Sequence, residues 1–226
     1  MQACEICGHR GDRATLSPVQ NTAPQTHSRH TPAGAVQALV DGNQRFSEGR
    51  SERPHQSDEH RRALARGQQP FAAVLACSDS RVTVEFLLDQ GFGDLFVVRT
   101  AGHVVGRSVM GSLEFAVAQL GVSAIFVLGH ESCGAVAAAQ QFARDGRELP
   151  GQMPVLVELV GGHLSPEASA LEGVAEHVRG TMADLLAQSE VIATAQQEGS
   201  LAVAGGVYGL TDGHVDLIAA DASEVG

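Results

Sequence analysis

The sequence is short of positive charge and of cysteine, and it has no long apolar run. Its 226 residues include 15 basic and 26 acidic side chains, which give a formal net charge of −11 and a pI near 5.3. Such an acidic chain lacks the basic footprint of a nucleic-acid-binding protein and the polybasic anchor of a membrane-surface protein. No apolar run approaches the roughly 18 residues that a membrane-spanning helix needs. We therefore expect neither nucleic acid nor membrane as a partner.

Residues 1–30 lack both a hydrophobic period and the apolar core of a secretory signal peptide. We predict a flexible N-terminal tail over residues 1–30 and one folded domain over residues 31–226. The expected compartment is the cytoplasm, where thiols stay reduced. The cysteines are then better explained as metal ligands or packed thiols than as disulfides. There are four of them: Cys4, Cys7, Cys77 and Cys133.

The tail contains the motif CEICGH (4–9), in which two cysteines have the spacing of half a zinc ribbon. The second half of such a ribbon is missing. Metal binding between two chains, a labile disulfide and the absence of any role are therefore all open at this stage.

Apolar runs of strand length alternate with helical patterns in the domain. Three of these runs are continuous, as in strands that are buried on both faces of a parallel sheet: FAAVLAC (71–77), DLFVVRT (94–100) and SAIFVLGH (123–130). Thr31-Pro32 is typical of a helix start. Further helices are expected over 106–121, from Cys133 to about Arg144, and as two segments between 155 and 198.

Two more strands are expected near the C-terminus, in LAVAGGVYGL and VDLIA. DGH (212–214) lies between them and predicts a hairpin turn, so the last strand should be antiparallel. The alternation of strands and helices predicts right-handed crossovers. The predicted fold class is α/β, with a mostly parallel central sheet of about five strands flanked by helices.

The two cysteines of the domain lie at the ends of predicted strands. Cys77 ends the first strand, His130 ends the third, and Cys133 follows His130 in an H-x-x-C turn. The carboxyl ends of parallel strands meet at one crevice, so these side chains can converge there. Two thiolates and an imidazole suit zinc. Three protein ligands leave the fourth position to water or hydroxide, as in catalytic zinc sites, and we predict one zinc ion per chain.

Asp79 follows Cys77 by two residues and can face the same crevice. Its carboxylate has two possible roles: it can ligate the metal as a fourth ligand, or it can accept a hydrogen bond from metal-bound water. Arg81 would favour the second role if it holds Asp79 in a charge-assisted pair. We expect Asp79 and Arg81 to be the catalytic residues, with Asp79 on the metal at low pH.

These motifs resemble those of the β-class carbonic anhydrases. CSDSR (77–81) and HESCG (130–134) are similar to the C-x-D-x-R and H-x-x-C-G signature of that family, and the similarity extends over roughly residues 31–220. The resemblance implies reversible hydration of carbon dioxide to bicarbonate and a proton. It also implies Cys77, His130 and Cys133 as zinc ligands, and a homodimer or a dimer of dimers.

The resemblance further implies a substrate pocket. Gly134 corresponds to a glycine that lines it, Gln68 to a glutamine that bonds substrate, and Phe96 to an apolar wall. Phe115 stands where the family usually has a tyrosine. Val74 replaces the tryptophan that accompanies an allosteric bicarbonate site, which argues against that site here.

Alternatives to this function keep the metal site. The same fold could hydrolyse carbonyl sulfide or carbon disulfide, or Asp79 could close the site in a non-catalytic zinc protein. His103 could relay protons, although a structural histidine is the simpler interpretation. The sequence does not say whether Arg99 and Glu114 pair with each other or contact the site.

Overall fold

A five-stranded sheet forms the centre of the protein in the computed structural model, which describes residues 30–146 and 149–218. The strands are β1 (Ala72–Cys77), β2 (Leu95–Thr100), β3 (Ala124–His130), β4 (Ala202–Tyr208) and β5 (Val215–Ile218). Their order is β2-β1-β3-β4-β5, and all pairs are parallel except β4 with β5. The predicted fold class and the antiparallel last strand are confirmed. Residues 1–29 of the predicted tail, with its Cys4–Cys7 pair, lie outside the described residues.

Eight α-helices surround the sheet within the described ranges. They are α1 (Pro32–Ser47), α2 (Asp58–Ala63), α3 (Val84–Leu87), α4 (Arg107–Phe115), α5 (Gly134–Asp145), α6 (Met153–Gly161), α7 (Ala170–Gln188) and α8 (Glu190–Gln197). The predicted start of α1 is confirmed, because the Thr31 hydroxyl accepts a hydrogen bond from the Gly34 amide at 3.1 Å. The prediction of two helical segments between 155 and 198 is wrong, since α6, α7 and α8 are three separate helices.

The sheet separates two apolar layers. Every residue of β1 and β3 is buried, which explains their continuous apolar sequences. Helices α4 to α8 cover one face and α1 with α3 covers the other. β2 pairs only with β1 among the described strands, and five of its six residues are half-buried. It is therefore an edge strand with an apolar sequence, the kind of edge that a second chain can cover.

Asn43 of α1 connects the N-terminal and C-terminal parts of the domain. Its buried side-chain amide donates to the carbonyl oxygens of Leu87 (3.0 Å) and Gly213 (2.9 Å), and its oxygen accepts from the Val215 amide (2.8 Å). Asn43 thus holds the β4–β5 turn and the first residue of β5 against α1.

The parallel register places the ends of β1 and β3 side by side. Ala76 pairs with Leu128, so Cys77 and His130 emerge at the same edge of the sheet. In the part of the chain that the structure describes, no helix has both the length and the apolar character needed to cross a bilayer.

Candidate metal centre

Three buried side chains converge at the carboxyl edge of the sheet. The sulfur atoms of Cys77 and Cys133 and a ring nitrogen of His130 all lie within 4.8 Å of one another. Cys77 is the last residue of β1, His130 is the last of β3, and Cys133 immediately precedes α5. The fold therefore brings together the three residues that the sequence motifs predicted as ligands.

The ring of His130 is oriented by its own backbone neighbour. Its Nδ1 lies 2.8 Å from the carbonyl oxygen of Glu131, an acceptor, so Nδ1 carries the hydrogen. Nε2 is buried and has no hydrogen-bond partner among the described residues. A buried nitrogen without a partner is unfavourable, and a metal ion held with the two cysteines would satisfy it.

The pKa values of the two buried thiols are shifted in opposite directions. The contact with Cys133 lowers the pKa of Cys77 to about 4, against the opposing effect of burial. His130 also lowers the pKa of Cys77. Hydrogen bonds from two backbone amides act in the same direction, that of Gly102 at 3.2 Å from the sulfur and that of Asp79. The pKa of Cys133 is raised, mainly by its hydrogen bond to the Cys77 sulfur and by burial, and repulsion from the Cys77 thiolate adds to this. A divalent cation relieves that repulsion, so this donor set fits zinc.

Asp79 lies beside the three donors and is held by Arg81. The Arg81 Nε and Nη2 atoms donate to the two carboxylate oxygens at 2.9 and 2.7 Å, and the Arg81 amide donates at 2.9 Å. These bonds keep the pKa of Asp79 well below its usual range. Its Oδ2 is 3.9 Å from the Nε2 of His130. The carboxylate is therefore ionised, next to the donors, and paired with the guanidinium.

Arg99 supports the loop that carries these residues. Its Nε donates to the carbonyl oxygen of Cys77 at 2.9 Å, and its Nη2 donates to that of Asp79 at 2.7 Å. The sequence left its role open. Glu114 points elsewhere, since it accepts a hydrogen bond from the Ser189 hydroxyl at 2.7 Å. The pairing of β1 with β2 places Arg99 here, and no local sequence motif predicts its contacts with this loop.

His103 is buried behind the centre rather than exposed beside it. It is 1% exposed, and neither ring nitrogen has a hydrogen-bond partner among the described residues. Burial holds its pKa well below the ordinary value, so the ring stays neutral. Its ring stacks on that of His177, with centroids 4.3 Å apart. This geometry favours the structural role over a proton relay.

The four predicted pocket residues fall into two groups. Gly134 is the first residue of α5, directly after Cys133, and a methyl group built on it would meet no atom within 4 Å apart from its chain neighbours and the backbone of α5. The space beside it is open. Phe96 pairs with Ala73 at the opposite end of the strands, about 13 Å along β2 from the residue that faces Cys77.

Phe115 and Gln68 lie with Phe96 on the far side. The rings of Phe115 and Phe96 are in contact, with centroids 6.3 Å apart. Gln68 precedes the start of β1 by four residues and is exposed. A single chain does not bring these three residues to the cysteines.

Comparisons with known proteins agree with this geometry. The family model described as carbonic anhydrase matches residues 72–215. The chain is 47% identical over 191 residues to carbonic anhydrase 2 of Mycobacterium tuberculosis, covering 82% of this chain and 92% of that protein. It is 34% identical over 199 residues to a carbonic anhydrase of Pseudomonas aeruginosa, covering 80% and 86%.

A solved structure gives the same result. The β-carbonic anhydrase CafA of the fungal pathogen Aspergillus fumigatus superposes with a TM-score of 0.62 at 28% identity, covering 84% of this chain and 92% of that one. The cysteine–histidine–cysteine group is typical of the zinc site in β-carbonic anhydrases. The chain therefore belongs to the carbonic anhydrase family and, within it, to the β class.

Proposed function

We propose that this protein catalyses the reversible reaction of carbon dioxide with water to give bicarbonate and a proton. The observation that carries the proposal is the convergence of Cys77, His130 and Cys133 beside a carboxylate that Arg81 keeps ionised. These three residues would hold one zinc ion per chain. When bound, zinc supplies the positive charge that makes a water molecule nucleophilic near neutral pH.

Asp79 orients the attacking water in this proposal. An ionised carboxylate only accepts hydrogen bonds, so it fixes one hydrogen of the water and leaves an oxygen lone pair free for carbon dioxide. Arg81 acts on Asp79 in two ways. It keeps the carboxylate charged, and it donates hydrogen bonds to both carboxylate oxygens. Arg99 holds the backbone of the same loop.

The Asp79–Arg81 pair also favours a catalytic zinc site over a closed, purely structural one. A carboxylate bound at both oxygens by a guanidinium has to leave that pair before it can become a fourth ligand. We propose that Asp79 binds the metal at low pH, and that this state competes with the one in which Asp79 is paired with Arg81. Zinc-edge absorption spectra at pH 6.5 and 8.5 would show an additional carboxylate oxygen only at the lower pH.

Stopped-flow hydration of carbon dioxide, followed with a pH indicator, tests the function directly. We expect hydration far above the uncatalysed rate and about one zinc per chain by elemental analysis. Cys77→Ser should lose most of the zinc and the activity together, since it removes a ligand thiolate. Full zinc content in that variant would remove Cys77 from the metal site, and a zinc-loaded wild type without hydration activity would refute the proposed reaction.

We also propose that the active form is a homodimer, or a pair of dimers, in which each chain completes the other's pocket. Gln68, Phe96 and Phe115 lie at the far end of the strands from their own cysteines, so they can line a zinc pocket only if that pocket belongs to a second copy. The apolar, half-buried edge strand β2 carries Phe96 and offers the surface for such a contact. Light scattering on the purified chain would measure the mass.

We propose that the predicted tail, up to residue 29, is not needed for hydration, because its sequence has no hydrophobic period with which to join a core. A cytoplasmic location fits ligands that bind metal as reduced thiols. Cell fractionation with an antibody to the chain would test the location.

A further inference from the structure

Three histidines and an aspartate form a layer directly behind the candidate metal centre. Their rings contact one another in series: His103 stacks on His177 at 4.3 Å, and His177 lies 5.0 Å from His163. Asp184 closes the series at the surface, where its Oδ2 is 3.0 Å from the Nε2 of His163. Neither the ligand set nor the Asp79–Arg81 pair accounts for these residues.

Gly102 links this layer to the metal centre. Its amide donates to the sulfur of Cys77 at 3.2 Å, and its carbonyl oxygen accepts from the Nε2 of His177 at 2.7 Å. The residue has φ +66°, and a methyl group on it would lie 2.7 Å from the Cβ of Ala135. Only glycine fits this position. The position of Gly102, and hence the aim of its amide at Cys77, depends on what holds its carbonyl group.

The hydrogens in the series can be assigned by elimination. A carbonyl oxygen only accepts, so the Nε2 of His177 carries a hydrogen. Burial lowers the pKa of His177 to about 4, so this ring is neutral and its Nδ1 is an acceptor. The Nδ1 of His163, 2.8 Å away, is then the donor. Donation runs inward, from His163 to His177 to Gly102.

Asp184 fixes the outer end of the series. The carboxylate of Asp184 accepts, so the Nε2 of His163 donates to it at 3.0 Å. The side chain of Asp184 is 40% exposed and that of His163 is 16% exposed. His177 is 1% exposed. The series therefore extends from solvent to the interior without a gap.

A glycine in the middle of α7 makes room for the series. A methyl group on Gly180 would lie 2.3 Å from two ring atoms of His163. Gly180 stands between His177 and Asp184 on one face of the helix, and a glycine inside a helix costs about 1 kcal/mol relative to alanine. The packing of the His163 ring accounts for this glycine.

We propose that Asp184, His163 and His177 form a hydrogen-bonded series that fixes Gly102 and so keeps an amide donor on the metal-binding sulfur of Cys77. His177 is a positioning residue, and it acts on the zinc through Cys77. The proposal rests on the zinc site proposed above. Because a hydrogen bond to a ligand limits the motion of that ligand, loss of the series loosens Cys77 and speeds the release of zinc.

Zinc release to a colorimetric chelator is the main test. His177→Phe keeps a ring of similar size but removes the donor to Gly102, and we expect release to be at least about tenfold faster. Asp184→Ala alters only the exposed end and should give a smaller increase of the same sign, which covers the case that the buried variant does not fold. In cobalt-substituted protein, both variants should also shift the sulfur-to-cobalt charge-transfer band.

Glu176→Gln is the matched control. Glu176 is also a carboxylate on α7, and it binds the same loop as His163 through the amide and hydroxyl of Ser165, at 2.8 and 2.6 Å, but it is outside the series. We expect wild-type zinc release from it. Equal release rates and cobalt spectra for His177→Phe, Asp184→Ala and this control would overturn the proposal.

Nitrogen NMR of the histidines in the metal-free protein separates this proposal from the function. We expect His177 with its hydrogen on Nε2 and His163 with hydrogens on both nitrogens. A hydrogen on the Nδ1 of His177 would overturn the series whatever the enzyme does. Failure of the wild type to bind zinc would instead refute the proposed metal site, and the nitrogen shifts would still report on the series.

Discussion

At the scale of single residues, charge and hydrogen bonding decide what the centre can do. Asp79 is 17% exposed at its side chain, yet it stays ionised because three donors of Arg81 surround it. The charge of the Asp79 carboxylate is thus set by a neighbour two residues away. Removing that charge should therefore affect catalysis more than it affects the metal.

Asp79→Asn tests this separation. The amide has nearly the same shape but no negative charge, so it accepts more weakly from the attacking water and loses part of the bond to Arg81. We expect the zinc content to stay at the wild-type level and kcat/KM to fall by about 10²-fold, the upper range for residues that orient a metal-bound reactant. Stopped-flow rates and elemental analysis on the same sample measure both. A fall of less than twofold would remove Asp79 from the reaction.

The sequence predicted these residues because they are close in the chain or end adjacent strands. Cys77, Asp79 and Arg81 share one loop, and His130 with Cys133 shares another, so two local motifs and one rule about parallel strands were sufficient. The series from Asp184 to His177 was not predictable in this way. His177 contacts Gly102 across 75 residues of sequence, and only the packing of α7 against the sheet creates that contact.

At the scale of elements, the N-terminus of α5 forms one side of the metal centre. Gly134 needs no special backbone conformation there, and a methyl group on it would meet no atom within 4 Å apart from its two chain neighbours and the backbone of α5. Packing within one chain therefore does not explain the glycine. The open space beside Cys133 does, if carbon dioxide uses it.

Gly134→Ala should separate stability from activity. Alanine restricts the unfolded chain, so we expect the free energy of unfolding to be unchanged or higher by up to about 1 kcal/mol. The methyl group would narrow the substrate space, so kcat/KM should fall by about tenfold, which corresponds to about 1.4 kcal/mol in the barrier. Urea unfolding and stopped-flow assays give the two values. Loss of stability in parallel with activity would instead point to a packing role.

Asp89 fixes α1 to the loop before α2 and makes that contact sensitive to acid. Its buried carboxylate accepts from the Arg45 side chain at 2.6 Å and from the amides of Glu52 and Arg53 at 3.0 and 2.9 Å. Burial alone would raise the pKa of Asp89, but these donors outweigh it and the pKa is lowered. The stabilisation is therefore complete above the ordinary value of 3.8 and is lost as the pH falls through the lower folded value.

Asp89→Asn should cost about 1–3 kcal/mol of unfolding free energy at pH 7, because a buried charged acceptor is replaced by a neutral one. Asparagine also tolerates the φ of +48° at this position, so the backbone should not be strained. The difference from wild type should shrink as the pH falls below about 3.8, the ordinary aspartate value. Denaturant unfolding at pH 7 and pH 3 measures it, and a difference independent of pH would show that the charge of Asp89 contributes nothing.

Element boundaries were the least predictable part of the fold. α7 ends at Gln188 and α8 begins at Glu190, so a single residue, Ser189, separates them. No glycine or proline marks the break. The Ser189 hydroxyl donates to Glu114 and accepts from the Ile192 amide, and these tertiary and capping bonds define the boundary.

At the scale of the whole molecule, the proposal that each chain completes the other's pocket can be tested directly. A chain with Gln68→Ala keeps its own metal ligands but gives its partner a defective pocket wall. A chain with Cys77→Ser loses its own metal site but gives its partner an intact pocket wall. Each variant alone should be nearly inactive. A mixture that exchanges chains should regain about a quarter of wild-type activity, because half of the dimers contain one intact site out of two.

Chain exchange has to be shown independently, for example by mass spectrometry of the intact mixed dimers. Mixed dimers without recovered activity would mean that Gln68 does not serve the partner's pocket. A sample in which Cys77→Ser chains exchange only with other Cys77→Ser chains provides the negative control.

Deletion of residues 1–29 tests the proposed domain boundary. The cut should leave His30 in place, because its ring packs on Phe71 at 4.8 Å and its carbonyl oxygen accepts from the Ser123 hydroxyl at 2.8 Å. We expect kcat/KM within about twofold of the full chain, a change below about 0.5 kcal/mol in the barrier. A tenfold loss at equal zinc content would show that the tail, or its Cys4–Cys7 pair, serves the active site.

The contacts of Asn43 have a consequence for how the chain is made. Its partners Gly213 and Val215 follow it by 170 and 172 residues, so they leave the ribosome long after it. Until they do, α1 cannot complete its docking, and its buried side chains Ala35 and Leu39 lack their final enclosure. Contacts this distant in sequence form slowly, and partly folded chains expose apolar surface. Synthesis arrested before residue 213 should therefore leave a nascent chain that proteases cut near α1 and that chaperones hold until translation resumes.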